Sequence, residues 1–124
     1  MKAVATICSR HKRRDAALLP AQDRYAGEHV KKAGAIADSS KFPFYILSGK
    51  YGIISADTEI PDYDYYLEQE HVAALTKIVG SQLMEAGITE LDFYIEDKAS
   101  WAPYIAAMQE AAASTGVALN VRRS

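Results

Sequence analysis

The stretch Phe42-Pro43-Phe44-Tyr45-Ile46-Leu47-Ser48-Gly49-Lys50-Tyr51-Gly52 joins an apolar run to a polar turn that contains two glycines. The run from Phe42 to Leu47 is typical of a buried β-strand. The polar turn lies where the chain should leave a sheet, and four carboxylates and three tyrosines then crowd into residues 57 to 66. A loop that only joined two elements would not need these side chains, so the segment is expected to form a site.

Three more strand-like runs accompany this one, over residues 2–7, 91–95 and 117–121. Helices are predicted between the strands, over residues 21–37, from 68 to about 86, and over 101–113. In the second helix the buried stripe should be Val72, Leu75, Val79 and Leu83. The order β-α-β-α-β-α-β predicts an α/β domain over residues 1–124. We expect a three-layer Rossmann-like sandwich, in which helices cover both faces of a four-stranded, mainly parallel sheet with strand 1 inside.

Composition restricts the class of protein. The 124 residues are 49% hydrophobic and 24% charged, as in ordinary globular domains. No apolar run approaches the roughly 20 residues of a membrane span, so no membrane partner is expected. The first residues do not have the shape of a signal peptide, and Cys8 is the only cysteine, which favours the cytoplasm of a prokaryote or its virus. The net charge of −2 argues against non-specific DNA coating.

Ligands of parallel sheets bind beyond the carboxyl ends of the strands. That rule should bring together Cys8-Ser9 after strand 1, Ser48 to Gly52 after strand 2, and Glu96-Asp97 after strand 3. Because it does not depend on the composition of any loop, it supports the same region independently as a site.

Anion binding is the first role that the residues suggest. Gly49 and Gly52 permit special backbone conformations, and with Ser48 they could present amide donors to an anion, or simply form a tight turn. The basic run from Arg10 to Arg14, including Lys12, is either a phosphate clamp or a solvated loop. Lys50 is either an anion-binding group or an exposed amine.

Known cofactor motifs do not match this sequence. The turn lacks the glycine spacing of a Walker loop, and no Gly-x-Gly-x-x-Gly follows strand 1. We therefore predict no bound NAD, no ATPase site and no other cofactor. Tyr51 would either cover a planar ligand or pack at the edge of the sheet.

Catalytic roles are open to three residues. Asp57 and Asp64 could act as general acid or base, or as a nucleophile at a sugar carbon. They could also cap turns, or hold a divalent cation, although their spacing matches no calcium loop and no metal site is predicted. Cys8 is either a small buried residue or a nucleophile, with its pKa lowered by nearby cations and His11 or His29 as its base.

A family resemblance rests on motifs between residues 7 and 67. These are Cys8-Ser9, Pro20-Ala21, Tyr25, Ile46 to Gly52, Asp57, Glu59-Ile60 and Tyr63-Asp64. The pattern resembles a small bacterial and phage domain family of unknown function, and its central motif is similar to that of YaaA (peroxide-stress) proteins. A more distant similarity is to a domain of archaeosine synthases. Gly49 replaces an alanine of the closer family, and Asp62 stands where a proline usually precedes Tyr63.

The resemblance implies a three-layer α/β domain with a pocket and a connection to nucleotides or nucleic acids. It adds Ser9, Tyr25 and Tyr63 to the expected ligand-binding residues. The DNA-binding hairpin of YaaA proteins is missing from this sequence, so that route to DNA is not implied.

Three functional hypotheses follow. The first is an enzyme acting on a nucleotide, nucleoside or modified base at the N-glycosidic bond, with Lys50 and the basic run on phosphate. In that hypothesis Tyr51 or Tyr63 stacks on the base, and Asp57 or Asp64 serves the sugar carbon. The second is a non-catalytic module that binds nucleic acid or a small nucleotide in stress response or phage defence. The third is a protein-interaction domain.

Overall fold

The computed structural model describes residues 1–123 as one sheet between helices, with a small second sheet beside it. The elements in chain order are β1 (Lys2–Ile7), β2 (Leu18–Pro20), α1 (Ala21–Arg24), α2 (Glu28–Ser40), β3 (Phe44–Ser48), β4 (Gly52–Ser55), β5 (Glu59–Pro61), α3 (Val72–Ala86), β6 (Glu90–Ile95), α4 (Ala102–Thr115) and β7 (Ala118–Arg123). Short 3₁₀ turns, Gln69–His71 and Ala99–Trp101, precede α3 and α4. Within residues 1–123 no helix has the length and apolar character needed to cross a membrane.

The main sheet has five strands in the order β4-β3-β1-β6-β7. β3, β1, β6 and β7 run parallel, and they are the four strands that the sequence predicts. β4 was not predicted; it pairs antiparallel with β3 and makes the sheet mixed. The prediction of an α/β fold with β1 inside is confirmed, and the strand count of four is corrected to five.

Helices cover both faces of this sheet. Neighbouring residues of a strand point to opposite faces, and both faces of the central strands carry apolar side chains that the helices bury. Ala3, Ala5 and Ile7 pack in a core with α3 and α4. On the other face, Val30 of α2 packs with Ile46 of β3. Two buried apolar faces fix the register of the central strands.

The predicted helix over residues 21–37 is divided into α1 and α2. Tyr25 is extended, and its backbone pairs with Lys12 in an isolated antiparallel bridge. Gly27 is also extended and precedes the first residue of α2. The helix therefore ends early because the loop after β1 takes the backbone bonds that would continue it.

Arg24 holds this loop against the small sheet of β2 and β5. Its side chain is fully buried and donates hydrogen bonds to the carbonyl oxygens of Arg13, Ala16, Ala17 and Ile60. A guanidinium is well suited to this role because it carries five donors in a fixed arrangement. The buried cation thus orders the polar segment between β1 and α1.

The turn between β3 and β4 depends on Gly52 and Gln82. Gly52 has a φ of +77°, a left-handed conformation that favours glycine. The Gln82 side chain of α3 accepts a hydrogen bond from the Ile53 amide at 2.7 Å and donates one to the Tyr51 carbonyl at 2.9 Å. A Cβ atom on residue 52 would lie 2.2 Å from Gln82 Oε1, so Gly52 also makes room for this clamp.

We predict that Gly52→Ala lowers the free energy of unfolding by about 2–4 kcal/mol. The left-handed backbone costs a non-glycine residue about 1–2 kcal/mol, and the displaced Gln82 loses hydrogen bonds worth about 1 kcal/mol each. Gly87→Ala is the matched control, because Gly87 has a φ of +71° with open space around it. Urea denaturation measures both variants, and equal losses in the two would contradict the role of Gln82.

Candidate functional site

A cavity of about 470 Å³ opens at the carboxyl ends of β1 and β6. Its lining comes from residues 7–12 after β1, from 27–29 at the start of α2, from Tyr63 and residues 65–67 before α3, and from five residues between 96 and 104 after β6. Its size is within the usual range of small-molecule sites. The sheet order also reverses here, because the chain moves from β1 to β3 on one side and then to β6 on the other.

The predicted convergence of the first two strands is present. Ile7 pairs with Leu47 in the parallel ladder, and the Cys8 amide donates to the Leu47 carbonyl at 2.9 Å. Cys8-Ser9 and the Ser48–Gly52 turn therefore lie side by side at one edge of the sheet. Of the predicted ligand-binding residues, Ser9, Arg10, Lys12 and Tyr63 line the cavity.

Ser48 organises the turn by binding the amides of Lys50 and Tyr51. Its buried hydroxyl oxygen accepts hydrogen bonds from the amides of Lys50 at 3.1 Å and Tyr51 at 3.2 Å. The same hydroxyl lies 3.0 Å from the Tyr63 hydroxyl. Gly49 has no left-handed φ, unlike Gly52. The Ser48 hydroxyl therefore supports both the turn and Tyr63, and the amides of Lys50 and Tyr51 are already bound.

Three tyrosines pack as one cluster, of which Tyr63 lines the cavity while Tyr25 and Tyr51 lie outside its lining. The Tyr63 ring meets Tyr25 and Tyr51 edge to face at 6.4 and 5.3 Å, and its hydroxyl bonds that of Tyr25. Burial raises the pKa of Tyr63 to about 12 and also raises the pKa of Tyr25. Tyr51 does not line the cavity, so its expected place over a planar ligand is replaced by packing.

Two lysines contact the Tyr63 ring. The ammonium groups of Lys12 and Lys50 lie 4.8 and 5.2 Å from the centre of the Tyr63 ring. These contacts and the aromatic edges occupy much of the ring, so Tyr63 is poorly placed to stack on a base. Lys50 lies outside the cavity lining, whereas Lys12 belongs to it.

Two of the four arginine and lysine side chains in the basic run are paired with carboxylates. Arg13 pairs with Asp15 at 2.8 Å, and Arg14 pairs with Asp62 at 2.7 Å and Asp64 at 3.1 Å. Exposed pairs of this kind contribute little to stability, but they lower the attraction of both arginines for an outside anion. Arg13 and Arg14 are therefore not part of a phosphate clamp.

Arg10 and Lys12 differ from their neighbours because both line the cavity. No carboxylate in residues 1–123 lies within ion-pairing distance of either side chain. The Arg10 guanidinium lies 5.2 Å from the centre of the Tyr66 ring, which is 58% exposed. The cavity thus presents two cations without counter-charges and one accessible aromatic ring.

Asp57 and Asp64 do not line the cavity. β4 reverses the chain direction, and β5 then pairs with β2 beside the main sheet, so this acidic segment is carried away. Asp57 is exposed, and its carboxylate accepts a hydrogen bond from the side-chain amide nitrogen of Gln22 at 3.0 Å. Asp64 pairs with Arg14. Asp57 and Asp64, the candidate catalytic carboxylates, therefore lie away from the cavity that Cys8 lines.

Cys8 is half-buried in the cavity lining, and its thiol is not activated. Burial raises the pKa of its thiol, although hydrogen bonds from the Gly49 backbone and the Tyr104 hydroxyl and the charge of Lys12 act in the opposite direction. The expectation that cations would lower this pKa is corrected, because desolvation outweighs them. Cys8 therefore packs at the base of the cavity as a protonated thiol at neutral pH.

His29 and Glu96 form part of the cavity wall that the sequence indicated only weakly. The His29 Nε2 atom lies 2.7 Å from the Ile7 carbonyl oxygen, and Nδ1 lies 3.8 Å from a Glu96 carboxylate oxygen. The ring also meets Trp101 edge to face at 4.7 Å. The sequence did not indicate Trp101 and Tyr104 as cavity residues. The only feature that could have pointed to them is their place in the segment that follows the third predicted strand.

Ser9 joins the loop after β1 to the start of α2. Its hydroxyl donates to the His11 carbonyl at 2.6 Å and accepts from the Gly27 amide at 3.2 Å. A Cβ atom on residue 27 would lie 2.9 Å from both Ser9 Cβ and His29 Nδ1, so only glycine leaves room here. Ser9 thus shapes the cavity more than it offers a free donor.

One acidic cluster lies outside this cavity. Possible ligand atoms of Glu68, Glu70 and His71 lie within 4.8 Å of one another, and all three side chains lie at the surface. Glu68 and His71 form a reciprocal cap on the 3₁₀ turn before α3. The cluster therefore has a structural explanation without a metal.

We predict that Ser48→Ala lowers the free energy of unfolding by about 2–3 kcal/mol. The variant leaves two turn amides and the Tyr63 hydroxyl without their shared partner in a buried position. Ser55→Ala is the matched control, since Ser55 has only a 3.4 Å contact with the Asp57 amide. Thermal and urea unfolding measure both variants, and a loss below about 0.5 kcal/mol for Ser48→Ala would contradict this account.

We predict that iodoacetamide alkylates Cys8 at pH 8 at least about tenfold more slowly in the native protein than in urea. The thiolate is the reactive form, and burial disfavours it. Mass spectrometry of timed samples measures the rate, with a cysteine-containing peptide as the control for urea itself. A native rate equal to that of the peptide would mean that the thiol is exposed and ionised, as the nucleophile hypothesis requires.

Comparison with known proteins gives one match. A family profile described as "Family of unknown function (DUF6884)" matches residues 4–120. No curated protein and no solved structure matches the chain. The profile agrees with the expected family of unknown function, whereas the likeness to YaaA proteins and the bacterial or phage origin stay predictions.

Proposed function

We propose that this chain, which belongs to the DUF6884 family of unknown function, binds a phosphorylated nucleoside in its cavity. The observation that carries the proposal is the pair Arg10 and Lys12. Both side chains line a cavity of about 470 Å³ and have no carboxylate partner within the described chain. Two cations at one cavity favour an anionic ligand, because their mutual repulsion is relieved when it binds.

The phosphate would bind near the start of α2. Gly27, Glu28 and His29 line the cavity, and α2, which is 13 residues long, begins at Glu28. The first amides of a helix have no partners within it and carry a partial positive charge. Together with Lys12 they would surround a phosphate group from two sides.

The base would lie against Tyr66 and Arg10. The Tyr66 ring is the most exposed aromatic surface of the cavity, and the Arg10 guanidinium already packs on it. Aromatic rings and guanidinium planes are the groups on which bases commonly stack. This assignment replaces Tyr51, which lies outside the cavity lining, and Tyr63, whose ring is packed against Tyr51 and two lysines.

The proposal concerns binding rather than a reaction. Glycosidic chemistry at Asp57 or Asp64 would need those carboxylates at the ligand, and they lie outside the cavity lining. If the domain is also an enzyme, the candidate carboxylate is Glu96, which lines the cavity beside His29. A cytoplasmic location and a role in stress response or phage defence stay predictions from the sequence.

Binding of a nucleic-acid strand is the competing outcome. The dependence of the affinity on salt concentration distinguishes it from binding of a single nucleotide. A strand contacts several phosphates, so its affinity falls steeply with salt concentration. A single nucleotide in this cavity contacts two side-chain cations and should show a shallow dependence.

We predict that the protein binds AMP or another mononucleotide in calorimetry, and that Arg10→Ala with Lys12→Ala weakens binding at least about tenfold. Charged hydrogen bonds contribute about 1.5–3 kcal/mol each, so losing two of them should be easily measured. Lys32→Ala with Lys77→Ala is the control, because it removes the same charge from exposed positions outside the cavity.

Two results would contradict the proposal. One is an absence of heat and of thermal stabilisation with every mononucleotide tested at millimolar concentration. The other is an equal loss of affinity in the control variant, which would indicate attraction by net charge rather than by this cavity. Tighter binding of a single-stranded oligonucleotide with a steep salt slope would favour the nucleic-acid alternative.

A further inference from the structure

We infer that His29 is a third anion-binding group of this cavity, which donates a hydrogen bond from Nδ1 to the bound phosphate when its ring is protonated. Glu96 is the carboxylate that holds the protonated ring in place. The inference rests on the proposed function, since it concerns the same anion that Arg10 and Lys12 would bind. It adds to that function a dependence of ligand affinity on pH.

The contact with Ile7 decides which nitrogen of His29 is available. A backbone carbonyl only accepts hydrogen bonds, so at 2.7 Å the Nε2 atom must carry a proton and donate it to the Ile7 oxygen. In the neutral ring Nδ1 is then an unprotonated acceptor, and it becomes a donor only when the ring takes up a second proton. Nδ1 makes no hydrogen bond in residues 1–123, so it is free for a ligand.

Glu96 stabilises the charged ring without occupying its donor. The distance of 3.8 Å between Nδ1 and the carboxylate is too long for a hydrogen bond but short enough for strong attraction. The other carboxylate oxygen lies 3.6 Å from the ammonium group of Lys98. Glu96 therefore lies between two cationic groups of the cavity wall.

The start of α2 places Nδ1 beside the expected phosphate position. Nδ1 lies close to Gly27, because a Cβ atom there would be only 2.9 Å away. The Gly27 amide is bound by Ser9 and the Val30 amide by the Gly27 carbonyl, so the amides of Glu28 and His29 are those that a phosphate would meet here. Trp101 packs against the ring and limits its rotation, so the orientation is set before any ligand arrives.

Other charged and titratable groups line the same cavity. They are Cys8, Arg10, His11, Lys12, Glu28, Tyr63, Tyr65, Tyr66, Glu96, Lys98 and Tyr104. Of these, only His11 has a side chain that ordinarily changes charge between pH 5 and 8. His11 is therefore the residue from which His29 must be distinguished.

Sulfate is the probe for this inference, because it stays a dianion throughout the range in which histidine titrates. We expect the affinity for sulfate to rise at least about fivefold from pH 8 to pH 5.5. The sign follows from linkage, since an anion that binds the protonated ring more tightly binds better where the ring is protonated. His29→Gln should remove this pH dependence, while His11→Gln and His71→Gln should keep it.

A second measurement needs no variant to fold. The three histidine ring signals can be followed by NMR across pH 5 to 9 with and without sulfate. We expect sulfate to move the titration of the His29 ring to higher pH, because the anion binds the protonated ring more tightly. The His71 signal should not respond, because His71 lies outside the cavity.

The outcomes separate the two proposals. Sulfate binding that is lost in Arg10→Ala but shows no pH dependence would overturn the role of His29 and leave the anion site intact. A pH dependence that is lost in His11→Gln would assign the role to His11 instead. Failure of sulfate, phosphate and every nucleotide to bind at any pH would overturn the proposed function and this inference together.

Discussion

The parallel pairing of β1 with β3 on one side and β6 on the other is the constraint on which the cavity depends. Ile7 is level with Leu47, and Thr6 is level with Tyr94, so the loops after all three strands begin at one edge of the sheet. Apolar packing on both faces fixes this register, because a shift by one residue would turn the buried side chains of β1 outward. The cavity is therefore a consequence of core packing as much as of its own polar residues.

A second layer of polar contacts determines which side chains reach that edge. Ser48 holds the turn after β3 and the hydroxyl of Tyr63, and Gln82 holds the next residues of the same turn. Arg24 orders the loop that carries Arg10 and Lys12. These buried groups contact no expected ligand, yet they decide that two cations face the cavity without acidic partners.

Much of the fold could be predicted from the sequence, because apolar runs and helical stripes are local signals. The predicted stripe of α3, from Val72 to Leu83, is buried as expected. β4 could not be predicted, since it depends on a contact between Gly52 and Gln82, and Gln82 lies 30 residues further along the chain. That reversal also carries Asp57 and Asp64 away from the cavity, and loop composition does not indicate the direction in which a loop turns.

The most direct test of the central claim is a map of backbone amide signals by NMR during titration with a mononucleotide. The account predicts that the largest changes fall on residues 8–12, 27–29, 65–66 and 96–101, which come from four separate segments and meet at the cavity. Changes centred on the acidic segment from Asp57 to Asp64, with those four segments unaffected at saturation, would contradict it.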